Sequence, residues 1–440
     1  MIKQTAIGLA SRELANPYNE NGFLPLITAP MYSVVDETNY QIFLDNKIQV
    51  CLPRNKGSKD SGNYFTAVSL QEFKDEFIGD STPIRYWPLK RCIDTANGNM
   101  PELHNAIRKA KEIHGDNLII MAGNVASVEA FIELAKTGVD YIRVGIGGGG
   151  GCNTTSNTGV GQENLEELIQ SCNRIIKNYK LLSRSKQSPN LLTTLQEVDN
   201  TSKVKIIADG ISSYIKLCQE KYGFNDNGYA AINKLLFAGA DLVMVGKLFA
   251  QCIESAGEKG ILDSTLEVNQ IRDLEEFNED TGANDVGDPY KSYFQVFYNT
   301  TPDSKNWVMV KYLGMSTQEE QKKYKSEHYW KWWWGNSKTG SIIDETVFYN
   351  FEELKTYSSK HSFENSSKYE NYYSNYTKHR LIKPSEGSVS WIPVRFLLKD
   401  WIKGNSEQDS YPFLMGFENS LRSAMSYAGS KTLEEFKNGK

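Results

Sequence analysis

The sequence has no C-x-x-C pair among its six cysteines, and its five histidines are scattered at no zinc-binding spacing. That excludes a stapled secreted scaffold and a structural zinc site, and leaves reduced thiols as the expectation. Basic charge is not in surplus either. Forty-nine Lys and Arg face fifty-four Asp and Glu for a net charge of -5, so nucleic acid is not an expected partner. No uninterrupted apolar run approaches the length that crosses a bilayer, and no membrane partner is expected. The opening MIKQTAIGLASRELANPYN has no basic start, long apolar run or small-residue cleavage site, the three parts of a secretory signal. A soluble, cytoplasmic protein is the expectation.

What is present is enough apolar material for a large core: 40% of 440 residues are hydrophobic. Such a length suits two or three domains, or one α/β barrel. The middle third alternates strand and helix. NLIIMAG (117–123) is a short apolar run ending in glycine, and SVEAFIELAKTG (127–138) has helical periodicity behind a capping serine. VDYIRVGI (139–146) is the next strand, followed by the helix NLEELIQSCNRIIKNYK (164–180) and the strand VKIIADG (204–210). The helix GYAAINKLLFAGA (228–240) then leads into DLVMVGKL (241–248). TGVDYIRVG and AGADLVMVG echo each other as helix end, glycine stop, strand and terminal glycine. Repeated βα units with nearly continuous apolar strands imply a parallel sheet buried on both faces, either doubly wound or barrel.

The last third differs. Residues 318–385 are rich in Tyr, Lys, Ser, Asn and Trp, and YWKWWWG (329–335) holds four of the eight tryptophans. So long an insertion is expected to be a satellite core, a subunit contact or a lid, with the first two favoured because aromatic stripes usually pack.

The densest signal is GIGGGGGCNTTSNTGVGQ (145–162), in which five glycines run into Cys152. Glycine loses more freedom on folding than any other residue, so this run must answer a need for sharp bends or close approach. A thiol among oriented backbone N–H groups is favoured as thiolate. A buried structural cysteine, the usual fate of free Cys, would explain none of the glycines. Carbonyls in the loop could also hold a cation. Asp209-Gly210 and Gly246-Lys247, each after a strand, suit a sugar phosphate: the carboxylate accepts from ribose hydroxyls, and the amides and lysine take the phosphate. Active sites of barrels gather in these loops.

GIGGGGGCNTT resembles the catalytic loop of the IMP dehydrogenase and GMP reductase family, G-x-G-x-G-x-x-C-x-T. The likeness continues in family order through PLITAPM (25–31), CIDTANG (92–98), IIMAGNVAS (119–127), IIADG (206–210), GADLVMVGKLFAQCIES (239–255), KYLGMST (311–317), SEG (385–387) and GFENSLRSAMSYAG (416–429). The resemblance implies a single (β/α)8 TIM barrel over residues 1–440, with 318–385 as a flap-like insertion. There is no room between Arg54 and FTAVSLQEF (65–73) for paired CBS regulatory modules.

Within the family, DTANG, IMAGNV, TGVG and YLGMS look like the reductase. Between Thr317 and Glu386 the one arginine, Arg380, is followed by leucine, so the Arg-Tyr pair that activates water in the dehydrogenase is missing. The resemblance implies a GMP reductase-like enzyme that uses NADPH. The alternatives are an IMP dehydrogenase using NAD and, in a different class, a non-catalytic nucleotide-binding barrel. By resemblance, Cys152 is the nucleophile, Thr154 moves the leaving-group proton, and Glu386 contacts the purine edge. Met31, Asp209, Gly210, Gly246, Lys247, Gly314, Met315 and Ser316 hold the purine nucleotide monophosphate, with Lys383, Pro384, Ser385 and Gly387 closing over it. Asp94, Thr95, Ala96, Asn124, Ile146 and Gly147 border the nicotinamide. Gly147, Gly149, Cys152 and Thr155 match positions that ligate a monovalent cation such as K+, and the family implies a homotetramer. Two departures stand out: Ile211 replaces the second glycine of Asp-Gly-Gly, and Thr155 replaces an arginine after C-x-T.

Overall fold

The computed structural model describes residues 1–57, 62–79, 84, 88–190, 192–263, 270–272, 306–313, 330–336, 341–348, 372–377, 389–398 and 412–439. Eight parallel strands form one sheet: β1 (Leu26–Thr28), β2 (Cys51–Leu52), β3 (Phe65–Val68), β4 (Leu89–Ile93), β5 (Leu118–Val125), β6 (Tyr141–Val144), β7 (Lys205–Ala208) and β8 (Leu242–Val245). They run in the order β1-β8-β7-β6-β5-β4-β3-β2. The seam between β1 and β2 is drawn together by a parallel bridge from Ile27 to Gln49, with the Thr28 amide donating to the Gln49 carbonyl. The Thr28 hydroxyl then accepts from the Cys51 amide at 2.9 Å. The result is a (β/α)8 TIM barrel, nearly closed, with alternating helices outside.

The short strands are buried almost throughout, as a sheet covered on both faces requires. Helix starts follow the side-chain rules. Ser127 caps Val128–Ala135 by accepting from the Ala130 amide, and Asn164 caps Leu165–Ser185 by accepting from the Glu166 and Glu167 amides. The echo between GVD and GAD has a structural cause. Asp140 accepts from the Ile120 amide of β5, and Asp241 accepts from the Ile206 amide of β7, both at 2.7 Å. Each carboxylate pins the neighbouring strand's start, and each is paired with a lysine, Lys111 or Lys437.

Beyond the barrel, β9 (Lys259–Asp263), β10 (Gln270–Arg272), β11 (Asn306–Leu313) and β15 (Val389–Pro393) make a four-stranded sheet. Within 318–385 the chain forms β12 (Trp330–Asn336), β13 (Ser341–Phe348) and β14 (Tyr372–Thr377), an antiparallel sheet with β12 in the centre. The tryptophan run is therefore a strand, consistent with the preference of aromatics for pleated structure. Leu313 and Val389 are register partners at the end of the β11–β15 ladder. Among the described residues, no helix is long and apolar enough to cross a membrane.

Candidate active site

The loops that leave β6, β7 and β8 meet at the C-terminal mouth of the barrel, where barrel chemistry is usually housed. Close approach explains the glycines. A Cβ on Gly148 would run into the carbonyl oxygen of Gly210, and one on Gly145 would collide with the carbonyl of Asp209. The Ser213 amide donates to the Gly148 carbonyl at 2.9 Å, which ties the cysteine loop to the helix Ile211–Tyr222. On the other flank, a Cβ on Gly150 would sit 3.0 Å from Lys247 Cδ and 3.2 Å from Ser212 Oγ. The structure thus brings the glycine loop, Asp209-Gly210 and Gly246-Lys247 together.

Cys152 sits in this loop. It is exposed, whereas the other five cysteines are buried. Its sulfur lies 3.2 Å from the Thr154 hydroxyl at the start of the short helix Thr154–Thr158. The Cys152 amide donates to the Gly149 carbonyl, and the Thr155 hydroxyl donates to the Val160 carbonyl at 2.7 Å, closing the loop on itself.

A second group lies beside it. Asp94, just past β4, is 3.1 Å from the guanidinium of Arg143 and 3.4 Å from that of Arg54. The Thr95 hydroxyl donates to the Gly123 carbonyl at 2.9 Å. Asn124 Nδ2 donates to both the Gly145 carbonyl and Asp209 Oδ2, each at 2.7 Å. Ala96 is exposed at the rim, while Ile146 and Gly147 are half-buried. Asp209 Oδ1 accepts from the Gly210 amide at 2.6 Å, so the carboxylate is oriented from both sides. Met31 is buried next to Ala29, whose amide bonds to the last residue of β8.

Sequence reasoning missed Arg143 and Arg54. Arg143 is only 2% exposed, and Cys51, Cys92 and Arg143 come from β2, β4 and β6, the alternate-strand pattern of a barrel's interior layer. Burial opposes its charge, but Cys92, Asp94, Asp209 and Cys51 outweigh that and hold the guanidinium above its ordinary value. The signal was available: one arginine inside the otherwise apolar run YIRVG.

Gly314, Met315, Ser316, Lys383, Pro384, Ser385, Glu386 and Gly387 lie outside the described residues, as does Arg380. Among the described residues, no cluster of three His, Cys, Asp or Glu side chains is set to hold a metal.

Residues 91–182, which run from within β4 through β6 and the cysteine loop, match the family model described as IMP dehydrogenase / GMP reductase domain. This part of the barrel is similar to that family. GMP reductase from Staphylococcus saprophyticus is 27% identical over 274 residues, spanning 60% of this chain and 71% of that protein. GMP reductase from Staphylococcus carnosus is 26% identical over the same length, spanning 72% of that protein. Inosine-5'-monophosphate dehydrogenase from Chlorobaculum parvum is 32% identical over 167 residues, spanning 38% of this chain and 26% of that protein. The IMP dehydrogenase / GMP reductase family consists of oxidoreductases of purine nucleotides that use nicotinamide cofactors.

Proposed function

We propose that the chain is a GMP reductase-like enzyme, forming IMP, ammonia and NADP from GMP and NADPH. The observation that carries this reading is the exposed Cys152 thiol, 3.2 Å from the Thr154 hydroxyl, on a loop abutting Asp209-Gly210 and Lys247. Asp209, oriented by the Gly210 amide, holds the ribose hydroxyls while the Gly246 amide and Lys247, beside Gly210, take the phosphate, which sets C2 of guanine over the sulfur. The Cys152 thiolate adds to C2. The C2–N bond then breaks as Thr154 and Glu386 pass protons to the amine, which leaves as ammonia. When bound, NADPH supplies the hydride that C2 takes before the C–S bond opens.

The rim residues fit that cofactor. Asn124 has spent both N–H groups, so its Oδ1 is left to accept from a carboxamide. Asp94, held by Arg143, is placed for hydroxyl groups, and Thr95, Ala96, Ile146 and Gly147 complete the border. Oxygen donors suit a hard monovalent cation. The carbonyls of Gly147, Gly149 and Cys152, with the Thr155 oxygen, form the proposed K+ set, and Thr155 meets it with its proton given to Val160. Met31, Gly314, Met315, Ser316 and Lys383 to Gly387 complete the proposed nucleotide pocket. Residues 1–440 are read as one catalytic barrel, working as a homotetramer, with 318–385 as its insertion.

The likeness to the Chlorobaculum dehydrogenase favours a second reading, oxidation of IMP by NAD. Purified protein mixed with GMP and NADPH, followed at 340 nm beside Cys152→Ala, separates the readings. Loss of NADPH that depends on Cys152 and releases ammonia supports the reductase. NADH formation from IMP and NAD replaces it with the dehydrogenase. Nucleotide binding without turnover in either direction leaves a binding barrel.

A further inference from the structure

The opposite end of the barrel holds a cavity of about 730 Å3 beside the first residues of β6, β7 and β8. That is the size range of small-molecule sites. The N-terminal face of a barrel normally serves stability, and a stability device would show its charges paired. Here five lysines line the walls: Lys177, Lys180, Lys203, Lys205 and Lys437. Three of them are committed. Lys203 pairs with Asp199, Lys205 with Glu20, and Lys437 with Asp241 and Glu434. Lys177 and Lys180 have no ion-pair partner among the described residues, and they stand three apart on one face of the helix Leu165–Ser185. Burial, then the ammonium groups of Lys437 and Lys180, pull Lys177 below the ordinary lysine value, against the attraction of Glu434. Five lysines against the carboxylates of Glu20, Asp241 and Glu434 leave a surplus of positive charge inside a concave site.

We propose that this basal cavity binds a small phosphate-bearing molecule, remote from the catalytic mouth. The lining cations are all lysines. A carboxylate ligand is best met by the planar fork of arginine, whereas lysine serves phosphate as a mobile point charge. Tyr18, Tyr141, Ile176 and Leu242 give the same cavity apolar wall for an organic moiety. The site is framed by two segments far apart in sequence. Asn16 to Asn21 form one edge, and the helix Leu433–Lys437 forms another, anchored by the 2.6 Å pair between Lys437 and Asp241. A ligand there ties these two segments to the strand starts.

Inorganic tripolyphosphate is the probe, titrated by calorimetry into the full chain carrying Lys247→Ala, so that the catalytic phosphate cradle is disabled. Saturable binding is expected, weakened at least tenfold when Lys177→Glu and Lys180→Glu are added. No saturable binding in the Lys247→Ala protein, or affinity unchanged by the added pair, overturns the proposal. Wild-type protein supplies a second readout that needs no variant. Tripolyphosphate should shield Lys177 from acetylation, read by peptide mass spectrometry, and equal labelling with and without it also overturns the proposal.

Discussion

The Arg143 guanidinium stands 3.1 Å from the Asp94 carboxylate, inside the barrel near the C-terminal end of the strand that delivers Cys152. One member of the pair is all but sealed from water, and the other is 15% exposed beside Arg54. Removing one side of a buried pair strands the other, which typically costs about 3–5 kcal/mol. Because Asp94 keeps Arg54, Arg143→Met should fall at the lower end of that range, read as a drop in the urea midpoint. Adding Asp94→Asn should return part of the loss. Strict additivity in the double-mutant cycle would show that the two side chains are not coupled.

Thr154 tests the proposed chemistry more directly. If its hydroxyl carries the proton to the departing amine, Thr154→Ala should lower kcat for GMP by about 10²–10⁴-fold. Thr154→Ser, which keeps the hydroxyl 3.2 Å from sulfur in reach, should restore most of it. An alanine variant within threefold of wild type removes Thr154 from the proton path.

The alternation of strands and helices was legible because its signal is local, whereas the choice of a barrel over a doubly wound sheet came only from the family resemblance. Strands such as DLVMV are short apolar runs closed by glycine, and the structure places β8 over Leu242–Val245 within that run. The cysteine loop was legible because only close backbone approach accounts for so many glycines, and Gly148 against Gly210 is such an approach. Arg143 escaped because its partners, Asp94, Cys92 and Cys51, are brought to it by the barrel's closure and not by sequence spacing. The lysine-lined cavity escaped for the same reason: residues 16 and 437 become neighbours of β7 only in the fold. The helix Leu195–Lys203 was also overlooked, although Thr194 and Glu197 form a capping box at its start.

Gly148 gives a backbone prediction. Alanine there would press its Cβ against the Gly210 carbonyl, which belongs to the main chain and cannot rotate away. Either the cysteine loop or the phosphate-facing turn must shift. Misplacing a catalytic group by about 1 Å costs on the order of 10²-fold, so Gly148→Ala should lose about that much in kcat/KM for GMP. The barrel core is untouched, and the melting temperature should move little. Near-normal kcat/KM in a folded variant would show that the spacing between these loops is not what positions Cys152.

Lys259 opens β9, and its ammonium donates to the carbonyls of Ser255 and Gly257 at 2.6 and 3.1 Å. Burial pulls its pKa down to about 8, against the attraction of Glu254 and Asp36. A lysine depressed in the folded state binds fewer protons there than in the unfolded chain between pH 8 and 10.5. Stability from this group therefore rises with pH across that window, by about 3 kcal/mol at most. Below pH 8 both states are charged and the group adds no slope. Unfolding free energies of wild type and Lys259→Met should then diverge in slope between pH 8 and 10, with wild type gaining relative to the variant. Parallel curves through that window would mean that the folded protein leaves Lys259 with an ordinary titration, and that the buried ammonium carries no desolvation cost.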